Sequence, residues 1–433
     1  MLRYSNKMKK ILIALFLLLT TTSCYAINET QKITLQEAID VALKTNPQIK
    51  ILKLNTESSI NDIYIADKLQ NPTIGAYNNI GDTGKGEPQQ LGASYTIELF
   101  KRGKRKKLAQ SDSIVALDNQ KFQEFNLILD VKKAYFDVLQ KKSNLKILTE
   151  QKILAKELYE TTQKEYKNKK IPQTDVVQAK ISLNRSIMAY NKAKSEVVFA
   201  LNRFNTVMNT SDIDYDTQEE TLHGDFDSLL TLSPEEDFLT YEKIKEYALN
   251  NRYDLLSAQH EVQSAKENLK VAKSQLIPDV ELIGGYAYQT KGMSSTGSHL
   301  SGAFAGINLT NIPLIYHFKP EIKNAKIKIQ QAELRFEDKK IDITRNITDA
   351  WEKYSIAKDN INFYNKELLS NSKELLDASI KSLNKKEIDI TTFLVTKKTY
   401  FELLLDYEEA LAEYYRSFAE LLKEMNSLMV EHI

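Results

Sequence analysis

The sequence predicts a mainly α-helical protein with a small β part, built as one unit written twice in tandem. The first observation behind this is repetition at fixed offsets. Ala42 matches Ala248 and Pro72 matches Pro278, 206 positions apart. Ala109 then matches Ala325, Ala134-Tyr135 matches Ala350-Trp351, and Asn168-Lys169-Lys170 matches Asn384-Lys385-Lys386, 216 positions apart. The change of offset places one ten-residue insertion between Pro278 and Ala325. The second observation is a scarcity of helix breakers, 13 glycines and 8 prolines in 433 residues, with most glycines gathered around four short candidate strands. A duplication on this scale predicts a pseudo-symmetric wall rather than a pocket for chemistry. The implied boundaries are a leader over 1–26, a first unit over 27–208, an acidic linker over 209–241 and a second unit over 242–433.

The leader carries Arg3, Lys7, Lys9 and Lys10 ahead of the apolar run Ile11–Leu19. That run is shorter than the ~20 residues a membrane-spanning helix needs, so it reads as a secretory signal. Cleavage after Ala26 suits the small residues there. The rival is lipoprotein processing before Cys24, the only cysteine, although Thr21-Thr22-Ser23 lacks the usual upstream leucine.

A helix is expected from Leu35 to Leu69, ending before Asn71-Pro72 because the residue preceding proline disfavours the helical region. Strands are expected over Thr73–Ile80 and Leu91–Leu99, joined by the polar loop Gly81–Pro88. Arg105–Lys167 then runs 63 residues without proline, about 95 Å if continuous. The short segment Lys167–Pro172 predicts a tight turn into a second, antiparallel helix. The second copy repeats this plan, with Val280, Leu282, Gly284, Tyr286 and Tyr288 on one strand face and Leu300, Gly302, Phe304 and Gly306 on another. Its longer loop, Thr290–His299, houses the insertion, and one long helix is expected from Pro320 to about Leu383. Asn209–Asp237 has ten carboxylates and no lysine or arginine, and reads as a linker with little regular structure.

The long helices carry coiled-coil spacing. Ile343, Ile347, Ala350, Tyr354, Ala357 and Ile361 step by threes and fours, and Phe393, Tyr400, Tyr407 and Tyr414 recur every seven. Long neighbouring helices, as in an α-barrel, satisfy this pattern, and so does a plain antiparallel hairpin without a channel. The strands allow two readings as well. Four strands cannot close a membrane barrel, whose smallest known form has about eight. An exported chain with these tyrosine-bearing strands therefore predicts an oligomer, with three copies giving a twelve-stranded transmembrane β-barrel. A small soluble sheet is the alternative.

Charge is balanced, 59 basic against 58 acidic residues, so nothing favours nucleic acid. Six of the seven residues Lys101–Lys107 are basic. In an exported chain, Lys101, Arg102, Lys104 and Arg105 read as a collar against anionic lipid head groups, or as an ordinary solvated helix start. Lys169, Lys170, Lys385 and Lys386 sit at the hairpin tips, as partner contacts or solvated turn residues. The histidines are scattered, and His260-Glu261 lacks the second histidine of a zincin pair, with Ser264 in its place. No phosphate loop, nucleophile triad or ligand cluster supports catalysis, a metal or a cofactor.

The opening pattern Leu35-x-x-Ala38-x-x-x-Ala42-x-x-x-Asn46-Pro47-x-Ile49 resembles the first helix of TolC-type outer-membrane efflux channels. The duplicated strand-strand-hairpin plan is similar to that family over nearly the whole mature chain. Glu98–Arg105, followed by Ala109, looks most like the branch serving heavy-metal cation pumps. The resemblance implies a homotrimer in the outer membrane of a Gram-negative bacterium, with a twelve-helix tunnel reaching through the periplasm. Its implied partners are a periplasmic adaptor and an inner-membrane transporter. Multidrug efflux and protein secretion use the same architecture. Asn168, Lys169, Lys170 and Asp175 in the first hairpin, and Asn384, Lys385, Lys386 and Asp389 in the second, become the implied adaptor-contact and aperture residues. The gate aspartates of some members are replaced here by Thr392–Thr396, leaving Asp389 as a substitute one turn earlier.

Overall fold

The computed structural model describes residues 31–78, 88–210, 214–222, 240–289, 301–364 and 366–426. The leader with Cys24, the two inter-strand loops and most of the acidic linker lie outside the described residues. The chain is mainly α with a small β part. Strand β1 (Gln31–Ile33) leads into α1 (Leu35–Thr45) and α2 (Pro47–Ala66), then β2 (Thr73–Asn78) and β3 (Pro88–Ile97). Helices α3 (Arg102–Lys167) and α4 (Gln173–Met208) form the first hairpin. After β4 (Tyr215–Thr217) the plan returns as α5 (Tyr241–Asn251), α6 (Tyr253–Ser274), β5 (Asp279–Gln289), β6 (Gly302–Thr310), α7 (Lys319–Phe363), α8 (Lys366–Lys385) and α9 (Ile390–Met425). Among the described residues no helix is long and apolar enough to cross a membrane.

Local chemistry explains where these elements start. Thr34 and Glu37 form a reciprocal capping box at α1, in which the Glu37 N–H donates to Thr34 Oγ1 and the Thr34 N–H to Glu37 Oε2. The single helix expected over Leu35–Leu69 is in fact two. Asn46 leaves the helical region (ψ 119°) and accepts from the Gln48 and Ile49 N–H groups, while Pro47 takes the first position of α2. Arg252 stands at the corresponding break in the second copy. It is buried, paired with Asp254 at 2.7 Å, and donates to the Glu424 carbonyl at 2.9 Å. The linker also has more order than its composition suggests. β4 pairs in parallel with β1, and the Asn205 side chain holds Tyr215 by both its N–H and its carbonyl.

The main core lies midway along α3 and α7, where the C-terminal parts of α4 and α9 join them. Phe125–Leu139 of α3 packs with Ala38 and Ala42 of α1, Phe204 and Met208 of α4, Ile244 and Ala248 of α5, Ile343–Tyr354 of α7 and Leu411–Met425 of α9. Tyr135 meets Phe204 edge-on at 5.6 Å, and Phe136 stacks on Tyr415 at 5.9 Å. A smaller cluster near the tips joins Leu158, Ala179, Leu376, Ile390 and Phe393.

The two copies part company in their long helices. α3 is continuous for 66 residues, about 100 Å. Its counterpart is interrupted at Tyr364 (φ −85°, ψ 53°) and resumes as α8. Above the interruption the 216-residue offset holds, with Leu127, Val131 and Ala134 buried like Ile343, Ile347 and Ala350. Below it the offset is 217. α4 and α9 are each 36 residues long, start and end 217 positions apart, and stop at the left-handed Asn209 and Asn426. The second copy therefore carries one further residue, and the break absorbs it. One residue inserted into an unbroken helix would rotate everything below by about 100° and turn its apolar stripe off the core.

Candidate functional site

At the tips both hairpins turn in the same way. Lys169 (φ 56°) and Lys386 (φ 65°) adopt the left-handed conformation. The Lys170 N–H donates to the Glu165 carbonyl and the Glu387 N–H to that of Ser382, each at 2.9 Å. These bonds satisfy the carbonyls left open as a helix ends. The structural partner of Lys169 is thus Lys386, one place beyond the match that the Asn-Lys-Lys triplets suggest. Asn168, Lys169, Lys170, Asn384, Lys385, Lys386 and Asp389 are all exposed, and Asp175 is half-buried. The tips come together around a cavity of about 320 Å³ whose wall includes Glu157, Glu165, Asp175, Lys386, Asp389 and Phe393. Asp389 caps α9, accepting from the Thr392 N–H at 3.0 Å, and these hydrogen bonds hold its carboxyl below the usual range. Its carboxylate therefore has a local structural duty. Among the described residues no group of three or more His, Cys, Asp or Glu is placed to hold a metal.

At the other end of the helices, β2, β3, β5 and β6 form an antiparallel sheet in that order. Residues paired across strands share a face, so the register sorts the side chains. Ile74, Ala93, Gly284 and Ala305 lie in one row, as do Leu91 with Tyr286, Tyr95 with Leu282 and Ile307, and Ile97 with Val280 and Leu309. This face is apolar, and Ile74 and Ile307 are 76% and 71% exposed. The opposite face carries Gln90, Ser94, Thr96, Glu281 and Asn308. There, too, Gly75, Gly92, Gly285 and Phe304 share a row. A Cβ on Gly285 would come within 2.3 Å of the Leu91 carbonyl oxygen and 2.7 Å of the Phe304 ring, so close strand approach requires glycine at that position.

The basic run between sheet and helix is more inward-facing than a collar of free cations. Lys101 is buried and its Nζ lies 2.8 Å from Asp279, which also accepts from Asn311. Arg102 and Lys106 both reach Asp67, and Arg105 grips Glu98 with two nitrogens at 2.6 Å. The collar expectation is corrected for Lys101, whose burial removes it from any head group. Arg102 and Arg105 are partly exposed but already paired. Lys104 takes part in none of these pairs. The carboxylates that claim the run come from α2's end, β3's end and β5's start, remote in sequence from one another.

Sequence reasoning missed Lys397. It continues the buried stripe of Phe393 and Phe401 at four-residue spacing, a pattern visible in the sequence as a lysine between two core aromatics. Missed too was Glu408, whose buried Oε2 has no hydrogen-bond partner among the described residues.

Comparison with known proteins agrees with this geometry. The family model described as outer membrane efflux protein matches residues 38–210 and 245–427. The outer membrane protein TolC of Vibrio cholerae is 24% identical over 302 residues, covering 65% of this chain and 64% of that relative, just short of two thirds of its length. Among solved structures, CusC superposes with a TM-score of 0.72 at 15% identity over 94% of this chain and 95% of its own. The CmeC outer membrane channel of Campylobacter jejuni gives 0.69 at 17% identity over 90% and 85%. At such identities the superpositions speak for the fold. The family model takes in most of both copies, and the chain belongs to the outer membrane efflux protein family.

Proposed function

We propose that this protein is the exit channel of a tripartite efflux system, conducting substrates passively from an inner-membrane pump and periplasmic adaptor to the exterior. It is a protein of the outer membrane of a Gram-negative bacterium, extending into the periplasm. The observation that carries the reading is the four-stranded sheet, open at β2 and β6, with one apolar face, joined to long helical hairpins whose α3 alone runs about 100 Å. Open edges and an exposed apolar face support pairing with further strands in a lipid surround. Three copies supply twelve strands, with the Leu91 and Tyr286 face toward lipid and the Gln90 and Glu281 face toward the lumen. The exposed tip residues, Asn168, Lys169, Lys170, Asn384, Lys385 and Lys386, are the proposed adaptor contacts, and tip separation is the proposed opening step. Of the four collar residues, Lys104 is the one left for lipid head groups.

The proposed cargo is heavy-metal cations, supported by the resemblance around Glu98–Arg105. Two measurements test the proposal. Purified protein should form ion-conducting trimers in planar bilayers, and a non-conducting monomer would end the channel reading. A deletion strain should be selectively sensitive to transition-metal salts. Broad sensitivity to drugs and detergents would assign a general multidrug or secretion exit.

A further inference from the structure

The cavity between the hairpin tips carries charge that the channel reading does not use. Its wall holds the carboxylates of Glu157, Glu165, Asp175 and Asp389 against the single cation Lys386. Asp389 is occupied in capping α9. The other three form no ion pair among the described residues, and nearby cations are engaged elsewhere. Lys156 pairs with Glu160 at 3.8 Å, and Lys385 lies 3.9 Å from Glu387. Glu157, Thr161 and Glu165 recur at every fourth residue and so share one stripe of α3, while Asp175 joins them from the first turn of α4. These carboxylates do not converge as a chelating set: among the described residues no group of three or more His, Cys, Asp or Glu is placed to hold a metal. They form a rim of spread negative charge.

Beside this rim the cavity is apolar. Leu158, Ile390 and Phe393 are buried in the tip cluster, and Ile380 and Leu383 of α8 pack against it. The space of about 320 Å³ falls among small-molecule sites, which span roughly 300 to 1,000 Å³ and join apolar walls to a few placed polar groups. We propose that this cavity binds a small organic cation with an apolar body, a protonated primary amine on a ring system, with the ammonium at the carboxylate rim and the ring against the Leu158 and Phe393 side. The apolar wall selects against hydrated inorganic cations, and the excess of carboxylates selects against neutral molecules and anions. The wall is drawn from α3 and α4 of the first hairpin and from α8 and α9 of the second, so a ligand seated there touches both. Its bracing of the tips against opening rests on the channel reading, but the binding itself does not.

Equilibrium dialysis of the purified full-length protein, with protein-free detergent micelles as the blank, tests it with 1-naphthylmethylamine, its neutral counterpart 1-naphthylmethanol, and methylamine. Saturable binding of the naphthyl amine is expected, about tenfold or more tighter than either of the others. The triple variant Glu157→Gln, Glu165→Gln, Asp175→Asn keeps the shape of the rim without its charge and should weaken the amine by about tenfold or more. Glu160→Gln, on α3 but outside the wall, should leave binding unchanged. Thr161→Trp, at an exposed wall position, should block the amine by filling the cavity, and serves if the triple variant fails to fold. Equal binding of amine and alcohol, methylamine binding as tightly as the naphthyl amine, or unchanged binding in the triple variant or in Thr161→Trp overturns the proposal. Bilayer conductance decides the channel reading separately, so the two ideas can fail independently.

Discussion

Replacing Glu408 by glutamine should change how the protein's stability depends on pH. Glu408 lies on α9 where that helix packs against α3. Burial pushes its carboxyl up from an ordinary 4.5 to about 7, with a Ser143 hydrogen bond and the Lys146 charge opposing the rise. The folded protein therefore holds the Glu408 proton more tightly than the unfolded chain does. The stability this contributes is complete below about pH 4.5 and is lost as pH rises through about 7. Every tenfold gain in proton affinity is worth about 1.4 kcal/mol, so the loss across this pH window is on the order of 3 kcal/mol. Glu408→Gln carries no charge at any of these pH values. It should match wild type near pH 4 and exceed it by about 2 to 3 kcal/mol near pH 8. Urea unfolding of purified protein, followed by far-ultraviolet circular dichroism across this range, gives the comparison. Parallel pH curves for the two proteins would refute the assignment of a buried, strained carboxyl to Glu408.

Three further perturbations probe the other regions. Gly285→Ala puts a methyl group against the Leu91 carbonyl and the Phe304 ring, and should destabilise the sheet by about 1–3 kcal/mol, read as a lower temperature of trimer dissociation on semi-native gels. Lys101→Met leaves the buried Asp279 carboxylate without its cation and should cost about 3–5 kcal/mol. The double variant Lys101→Met, Asp279→Leu should recover most of that loss on the same gels. Asp389→Ala removes the cap of α9 and should increase proteolysis at the second tip alone, whereas Asp389→Asn, which can still accept the Thr392 N–H, should not.

Much of the architecture can be read from the sequence because helix and strand periods are local signals. Strand starts at Thr73 and near Leu91, the tip turns, and the stripe from Ile343 to Ala357 all follow from spacing. Other features need the third dimension. The break at Asn46-Pro47 is hidden because Pro47 suits a first helical position as well as it ends a helix. β4 is three residues long, too short for alternation to register. The second Asn-Lys-Lys triplet matches the first by identity and so conceals the extra residue that displaces Lys386. The basic run reads as outward-facing because Asp67, Glu98 and Asp279 meet it only after folding. At the candidate site, tip placement is legible, while the burial of Lys397 shows only in the folded chain.

The break at Tyr364 makes the two hairpins of each chain inequivalent. Had the duplication stayed in register, their ends would be interchangeable, and a protein gripping them would meet one repeated surface. The slip gives each chain two kinds of end instead. The first sits on an uninterrupted rod that transmits an axial push along its whole length. The second is joined to the core by the unbroken α9 on one side and by a limb interrupted at Tyr364 on the other. A protein gripping both therefore meets two hairpins of unequal construction in every chain.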